Sequence, residues 1–388
     1  MRFADTPALH AWREEVRTFV RDHWGGDASG SEFFPLMGHF DEGRVPAWLD
    51  ALGRRGWIAP AWPKEYGGAD LSMLEQFVLT QEVTAAGAPT SRRMLNLVGP
   101  TIMLHGTPEQ RAEHLPPMLR GETAWCQGFS EPGAGSDLAS LRTAAVRDDD
   151  DYVVNGQKIW TSGAHESDWM FMLTRTDPQA PKHRGITYLL VDMKSPGIEV
   201  RPLYSLDGGH WFNEVFFQDV RVPIANRIGE ENAGWYVATS TLDFERSNIG
   251  LAMTAKKSLG RLCAYLRARP VPATRTEKHE VANRAVEIAI AELLSYVVVE
   301  IQARGGVPNM EASRCKMYGT ELWQRLAHTR LRLAGMTGQF VSPGGIELTH
   351  GMHVAAEYMN TLTTTIAGGT SEVQRNIIAT RGLGLPRG

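Results

Sequence analysis

The sequence predicts an α+β multidomain protein with an all-α N-terminal domain, a middle domain of the β-sandwich or barrel-like type, and a C-terminal four-helix bundle. Its 388 residues exceed what one hydrophobic core normally supports. Apolar residues recur at helical spacing in the first and last parts of the chain, whereas short runs rich in Val, Ile and aromatic residues fill the middle. These three observations place the domains at 1–122, 123–234 and 235–388.

The N-terminal part has the periodicity of helices that bury one face. Between residues 9 and 20 the apolar residues lie three or four positions apart, which predicts a first helix. Those residues are Leu9, Trp12, Val16, Phe19 and Val20. Similar spacing predicts helices at 73–86 and 93–105, and the Pro- and Gly-rich stretches between them indicate loops.

The middle part predicts short strands joined by turns. Asn155-Gly156 is the strongest β-hairpin signal in the chain, because an Asn-Gly pair suits the positive φ angles of a two-residue turn. The acidic run 148–151 lies between two predicted strands. It is typical of a solvated turn rather than an ion site, since neighbouring carboxylates at a strand tip do not converge.

From residue 235 onward the helical period returns in long stretches. They are 235–268, 276–304, 309–337 and 345–363, with a last helix from about residue 370. Four long helices with short connections favour an antiparallel bundle. A Rossmann-type oxidoreductase would alternate strands and helices along the chain, and this sequence does not.

Composition and charge exclude several function classes. A net charge of −4 and a pI of about 6.3 disfavour a nucleic-acid partner, whose binder would normally be basic. No apolar run approaches the length of about eighteen residues that a membrane span needs, so no membrane partner is expected. Three widely spaced cysteines and an amphipathic start without a secretory pattern favour a cytoplasmic location.

One pair of histidines raises the question of a metal site. His350 and His353 lie three residues apart, with Glu357 close behind them. They do not form the H-E-x-x-H pattern, and histidines at this spacing are more often ordinary helix residues. The sequence therefore predicts no metal ion. It also has no G-x-S-x-G run, so the hydrolases that use that motif have no nucleophile in this chain.

Three segments concentrate residues suited to a cofactor. Residues 128–137 read GFSEPGAGSD, and their glycines and small side chains leave backbone amides accessible to a phosphate or a flat ring. Residues 156–163 read GQKIWTSG and combine an aromatic plane with hydroxyl donors. In 367–376, two glycines precede Thr370 and Ser371, both good helix N-caps, which predicts an anion or cofactor-phosphate site.

In this order and spacing, the three segments resemble the acyl-CoA dehydrogenase family. SEPGAGSDL at 130–138 with GQKIWTSG at 156–163 resembles one family motif, and GGTSEVQRNIIA at 368–379 resembles the C-terminal motif. The resemblance covers essentially the whole chain, including the α–β–α order. It implies an FAD enzyme that oxidises the Cα–Cβ bond of an acyl-CoA thioester to a trans-2-enoyl-CoA and passes the electrons to an electron-transferring flavoprotein.

The resemblance also implies which residues bind FAD and substrate. The Ser162 hydroxyl would lie near flavin N5, and Ser136 would meet the pantetheine arm of the substrate. The implied FAD-binding residues are Phe129, Ser130, Trp160, Thr161, Ser162, Gly369, Thr370 and Glu372. The implied substrate-binding residues are Ser136, Asp243, Phe244 and Arg246, of which Arg246 would contact CoA.

The position of the catalytic base departs from one family pattern and matches another. Many members carry the base directly before the final Gly-Thr, where this chain has Gly368. Other members, including isovaleryl-type enzymes, place it in an L-x-x-E-R run, and this chain reads LDFER at 242–246. The resemblance therefore implies Glu245 as the base, while the Gly368 amide remains free to donate to the thioester carbonyl.

Two further departures concern assembly. Homotetrameric relatives use an R-x-x-F-G run and a Q-x-x-G-G-x-G turn to reach FAD on the neighbouring subunit. Here 267–275 lacks the Phe-Gly pair, and 332–338 lacks both the Gln and the double Gly. Arg269 or Arg275 could replace the lost arginine in a homotetramer. Otherwise a related chain supplies these contacts in a heterotetramer, a dimer of dimers with two FAD per four chains, as in actinobacterial enzymes that act on steroid side chains.

Three functions remain open at the level of sequence. The first is a flavin-dependent acyl-CoA dehydrogenase with Glu245 as base, in steroid or lipid side-chain catabolism. The second is a non-catalytic or half-site subunit of a heteromeric acyl-CoA dehydrogenase, which the altered neighbour-contact segments permit. The third is an acyl-CoA oxidase-like or nitroalkane oxidase-like flavoprotein, which oxygen consumption without an added acceptor would identify.

Overall fold

A computed structural model describes residues 5–25, 44–92, 94–243, 249–340 and 354–386, with the backbone alone for 240–243. The helices are α1 (Pro7–His23), α2 (Arg44–Arg54), α3 (Met73–Ala85), α4 (Leu95–His105), α5 (Pro108–Arg120), α6 (Gly234–Asp243), α7 (Ile249–Ala268), α8 (Arg275–Ala303), α9 (Asn309–Ala334), α10 (Val354–Thr364) and α11 (Ser371–Ile377). The strands are β1 (Trp125–Gly128), β2 (Ala144–Asp148), β3 (Asp151–Lys158), β4 (Trp169–Arg175), β5 (Ile186–Asp192), β6 (Ile198–Tyr204), β7 (His210–Pro223) and β8 (Arg227–Ile228).

The chain forms two compact units. The helical unit comprises 1–51, 70–90 and 246–388, and the sheet unit comprises 52–69 and 91–245. The predicted succession of helical, sheet and helical regions is confirmed. The domain boundaries at 122/123 and 234/235 stay a prediction. None of the helices in the described ranges is long and apolar enough to cross a membrane.

In the helical unit, α7, α8 and α9 pack on one another and are joined by connections of a few residues, so that each helix runs antiparallel to the one before it. Side chains of these three helices and of α3 share one buried cluster that includes Phe77, Ile249, Leu322 and Trp323. Each such side chain contributes roughly 1.5–3 kcal/mol through its burial. A Thr274–Glu277 capping box begins α8. The predicted helix 235–268 is described as two helices, α6 and α7, and residues 244–248 between them lie outside the described ranges.

In the sheet unit, the described strands form one sheet in the order β6-β7-β3-β2-β4-β5-β8, and β1 pairs in parallel with β4. Alternate residues of β3, β4, β5 and β7 point into the same buried cluster, so the sheet curves around it. At the end of β1, Gly128 lies so close to β4 that a Cβ there would meet the Met170 sulfur at 2.4 Å. This close approach positions the loop that follows β1 against the sheet.

The hairpin predicted at Asn155-Gly156 is wrong. Both residues lie inside β3, where a bulge between Val154 and Gly156 shifts the pairing with β7. The Asn155 amide is used across the strands, donating to Asp219 Oδ1 at 2.9 Å. The turn falls instead in the acidic run, between Asp148 and Asp151, with Asp149 at φ 52°. The prediction of a turn in that run is confirmed.

Candidate functional site

The glycine-rich loop follows β1 in the sheet unit. Glu131 and Ala134 exchange two backbone hydrogen bonds of 3.1 and 3.0 Å, which close a tight turn around Pro132 and Gly133. An added Cβ at Gly133 would meet no atom within 4 Å, so open space lies beside this turn. Ser136 is exposed in the second half of the loop.

A buried ion pair supports this loop from below. The Lys158 ammonium is fully buried and donates to Glu131 Oε1 at 2.8 Å and to the Phe129 carbonyl at 3.1 Å. The Glu131 carboxylate also accepts the backbone N–H groups of Arg142 at 2.7 Å and Thr143 at 2.9 Å. Residues 129–131 are therefore tied both to the end of β3 and to the approach to β2.

The protonation of this pair follows from burial and attraction. Burial lowers the pKa of Lys158 to about 8, although Glu131 acts in the opposite direction. Burial alone would raise the pKa of Glu131, but the charge and hydrogen bond of Lys158 and the donors at Thr143 and Arg142 outweigh it and hold the pKa below its usual value. Both groups are therefore charged at neutral pH, and each compensates the buried charge of the other.

Phe129 lies beneath the loop rather than on its surface. Its side chain is 6% exposed and stands edge-on to Phe171, with ring centroids 5.7 Å apart, and to Tyr188 at 6.1 Å. Its carbonyl accepts from Lys158. The Phe129 ring therefore supports the loop from below and is not presented to a ligand beside it.

The segment that ends β3 lies next to the loop. The Ile159 N–H donates to the Ser130 carbonyl at 3.0 Å. Trp160 then takes a left-handed backbone conformation, φ 60°, which is strained for a large side chain. Its indole is 58% exposed and stands edge-on to Phe212 at 5.9 Å. Trp160 is therefore a surface aromatic presented beside the glycine-rich loop and not a core residue.

Thr161 and Ser162 continue this segment. The Thr161 N–H donates to the Asn213 carbonyl at 3.1 Å, and the Asn213 amide donates to the Thr161 carbonyl at 3.0 Å. The Thr161 hydroxyl is buried and makes no hydrogen bond with any described residue. Ser162 is half-buried. An aromatic plane and hydroxyl groups are thus gathered on one short segment of backbone.

The C-terminal motif lies in the helical unit. Gly368 and Gly369 have φ angles of 63° and 85°, and Thr370 caps α11 by accepting the Val373 N–H at 3.1 Å. The prediction of Thr370 as an N-cap is confirmed. An added Cβ at Gly368 would meet no atom within 4 Å, so space is open at this position.

Lys316 of α9 holds the C-terminal motif in place. Its ammonium donates to the carbonyls of Thr364 at 3.1 Å and Gly369 at 2.7 Å, and burial lowers its pKa to about 8. The Ser371 hydroxyl is buried and makes no hydrogen bond within the described ranges. Glu372 is exposed, and its own backbone N–H and the Thr370 hydroxyl hold its pKa below the usual value.

Several predicted residues lie outside the described ranges. They are Phe244, Glu245 and Arg246, and also the two histidines considered for a metal, His350 and His353. Asp243 ends α6 and is described by its backbone alone. Glu357, the third residue considered with those histidines, forms a buried ion pair with Arg330. No group of three potential metal ligands occurs in the part of the chain that the structure describes.

Sequence reasoning missed the residues that support these segments. Lys158, Lys316 and Asn213 donate to the backbone carbonyls of Phe129, Gly369 and Thr161, respectively. Lys158 was visible inside GQKIWTSG, but an internal lysine in a strand gives no signal of burial. The structure brings 128–137 and 159–163 together within the sheet unit, and it places 368–372 on the helical unit.

Comparison with known proteins gives consistent matches along the chain. Family models for the N-terminal, middle and C-terminal domains of acyl-CoA dehydrogenase match residues 6–122, 126–220 and 232–383. The chain is 38% identical over 342 residues to the acyl-CoA dehydrogenase FadE29 of Mycobacterium tuberculosis, covering 87% of each chain.

Two solved structures also superpose on the whole chain. The Tcur3481-Tcur3483 steroid ACAD has a TM-score of 0.87 at 34% identity, with all of both chains covered. The ChsE4-ChsE5 complex from Mycobacterium tuberculosis has a TM-score of 0.85 at 34% identity, also with full coverage of both chains.

Proposed function

Because the chain belongs to the acyl-CoA dehydrogenase family of oxidoreductases, we propose that it binds FAD and dehydrogenates an acyl-CoA thioester between Cα and Cβ. The observation that carries the proposal is the segment 159–163. It presents an exposed Trp160 directly beside the glycine-rich loop, followed by Thr161, whose buried hydroxyl makes no hydrogen bond with a described residue, and by the half-buried Ser162. Members of the family are generally flavoproteins, and a flat ring needs a surface of this kind.

The residues present fit a bound flavin. The buried Thr161 and Ser371 hydroxyls lack hydrogen-bond partners in the described ranges, and native proteins rarely leave such groups unsatisfied. The turn at Gly133 and the backbone at Gly368 both adjoin open space. In the sheet unit, Ser130, Trp160, Thr161 and Ser162 would bind the ring, together with the Phe129 backbone. In the helical unit, Gly369, Thr370 and Glu372 would bind the ribityl-phosphate part.

When bound, FAD supplies the acceptor for the hydride from Cβ. The protein must then remove the α-proton, which is only weakly acidic, and stabilise the negative charge that develops on the thioester oxygen. We assign the removal of the α-proton to the Glu245 carboxylate, which would act as the general base. The Gly368 N–H would donate to the thioester oxygen, which the open space where a side chain would otherwise stand at this position allows.

Substrate contacts follow the same assignment. Ser136, exposed in the glycine-rich loop, would meet the pantetheine arm. Asp243, Phe244 and Arg246 would contact the acyl-CoA, with Arg246 at its charged CoA portion. The similarity to a protein described as a steroid ACAD supports a bulky, ring-containing acyl group as the first class to test.

Trp160→Ala tests the flavin surface. Removing the exposed indole removes a large contact for the ring, whereas the core loses nothing because Trp160 is not part of it. We expect the variant to retain less FAD after gel filtration and to melt at the same temperature as the parent protein when both are free of FAD. A lower melting temperature that excess FAD does not correct would place the role of Trp160 in folding and contradict the flavin contact.

The assembly we propose is heteromeric. Arg269 is a candidate to replace the missing arginine that would contact FAD on the neighbouring subunit. Its guanidinium already donates to the Glu277 carboxylate at 2.5 Å and to the Val271 carbonyl at 2.9 Å within the chain. The similar solved structures include one described as a complex of two proteins, ChsE4 and ChsE5. We propose a dimer of dimers of two related chains with two FAD per four chains, and an electron-transferring flavoprotein as the electron acceptor.

Flavin content per chain tests this assembly. The chain expressed alone should contain well under one FAD per chain after gel filtration, and coexpression with a related subunit should raise flavin content and activity together. One tightly bound FAD per chain in a fully active homo-oligomer would contradict the two-chain proposal.

The function itself is tested by the product. Purified protein, alone and with a related subunit, is incubated with acyl-CoA thioesters of different chain and ring content and an artificial electron acceptor. Mass spectrometry should find an enoyl-CoA with two hydrogens fewer than the substrate. Oxygen consumption without an added acceptor would instead identify an oxidase, and no product from any thioester would contradict the proposed chemistry.

A further inference from the structure

We propose that Asn213, oriented by His165 and His210, is the positioning residue that holds segment 160–163 in its ligand-binding conformation. This inference rests on the proposed FAD site. Asn213 lies on β7 and is completely buried. Its backbone carbonyl accepts the Thr161 N–H, and its side-chain amide donates to the Thr161 carbonyl. Asn213 therefore holds the segment at the position directly after the strained Trp160.

Hydrogen-bond chemistry determines how the Asn213 amide is oriented. The Thr161 carbonyl can only accept, so the atom 3.0 Å from it must be the amide nitrogen. The amide oxygen then faces His210 Nε2 at 2.8 Å, which must carry a proton and donate it. The second amide hydrogen points at His165 Nδ1, 3.1 Å away, which must accept it.

The two histidines therefore have different requirements. His210 donates through Nε2, and it can do so whether neutral or charged. His165 accepts through Nδ1 only while it is neutral, with its proton on Nε2. A proton on His165 Nδ1 would face the Asn213 amide hydrogen, and the amide could not keep its bonds to both His165 and Thr161. Neutral His165 thus favours the orientation in which the Asn213 amide donates to the Thr161 carbonyl.

Among the described residues, the two histidines lie close to each other, to Glu166 and to Tyr204. The His165 and His210 rings stack with centroids 4.0 Å apart, so charging both would be unfavourable. Glu166 Oε1 lies 3.7 Å from His165 Nε2 and would favour a charge on His165. The Tyr204 ring lies 5.5 Å from His210. Asp207, in the loop before β7, accepts hydrogen bonds from Ser205 and the Gly209 N–H.

This arrangement predicts that the affinity for FAD depends on pH. Histidine side chains change charge between about pH 5 and 8. Protonation of His165 at Nδ1 removes the acceptor of the Asn213 amide and so weakens the side-chain bond to the Thr161 carbonyl, whereas the backbone bonds from Thr161 to Asn213 and from Gly163 to Trp211 remain. FAD retention should therefore fall at low pH and be complete at the alkaline end of the range.

The test measures FAD affinity against pH by the fluorescence of released flavin. Asn213→Ala should weaken FAD binding by on the order of tenfold or more, since it leaves the Thr161 carbonyl and both histidines without their partner. The matched control is Asn155→Ala, an exposed asparagine of β3 whose amide binds Asp219. It should bind FAD as the parent protein does.

Variants at the exposed His165 keep the test decisive if Asn213→Ala does not fold. His165→Gln offers an acceptor that does not titrate, so it should bind FAD well and lose the pH dependence. His165→Phe removes the acceptor and should bind weakly at every pH. Equal FAD affinity and an equal pH profile in the parent protein, Asn213→Ala, His165→Gln and His165→Phe would overturn this inference and leave the proposed function intact. A parent protein that binds no FAD even when coexpressed with a related subunit would contradict the proposed function as well as the inference.

Discussion

Replacing Glu245 by glutamine is expected to lower turnover by about a hundredfold or more, the scale associated with loss of a general base. The amide keeps the size of the side chain but cannot take the α-proton. The proposed flavin-binding residues are untouched, so FAD content should equal that of the parent protein. The measurement is steady-state turnover with an artificial acceptor, combined with the flavin absorbance of the same sample.

A matched control separates the base from a general effect of charge. Glu113→Gln makes the same change at an exposed position of α5. It should leave turnover and flavin content unchanged. Turnover of the Glu245→Gln variant close to that of the parent protein would remove Glu245 as the base. In that case the proton acceptor would have to be sought elsewhere in the chain or on a partner subunit.

Removing Lys158 from its buried ion pair with Glu131 should cause the largest loss of stability among the variants proposed here. Lys158→Met leaves the Glu131 carboxylate buried with only the Arg142 and Thr143 N–H groups as donors. An uncompensated buried charge of this kind costs about 3–5 kcal/mol of the free energy of unfolding. The double variant Lys158→Met/Glu131→Gln should recover part of that loss, because neither partner then carries a charge.

The control is a lysine pair at the surface of the same unit. Lys182 donates to Asp137 at 2.9 Å, but the two side chains are 53% and 59% exposed. Lys182→Met should therefore cost no more than about 1 kcal/mol. Denaturant unfolding of the variants measures the difference. Equal losses at Lys158 and Lys182, or a double variant less stable than Lys158→Met, would contradict the structural role of the buried pair.

The fold could be predicted from the sequence where one strong pattern dominates. The apolar face between Leu9 and Val20 indicates a helix, and α1 covers it. The signal at Asn155-Gly156 failed because a local turn preference competes with pairing along β3. The ladder to β7 continues past Gly156 by means of a bulge, and Asn155 binds Asp219 on the partner strand. Long-range pairing outweighed the local preference.

The candidate site was likewise predictable from the sequence only in part. Its segments are visible as runs of glycine, hydroxyl and aromatic residues in the sequence. Its supports are not, because they come from positions distant along the chain. Lys158 binds Glu131 across 27 residues, and Asn213 binds Thr161 across 52. Nothing local in the sequence indicates that Asn213 is buried or that Trp160 is exposed, since both follow from how β3 and β7 pair.

Anaerobic titration of the flavin-loaded protein with acyl-CoA thioesters tests the central claim most directly. If the protein is an FAD-dependent acyl-CoA dehydrogenase, at least one thioester should bleach the visible flavin absorbance in proportion to the amount added. The matching enoyl-CoA should leave the oxidised spectrum in place. A flavin that stays oxidised with every thioester, in the presence of a related subunit as well as without it, would contradict the proposed function.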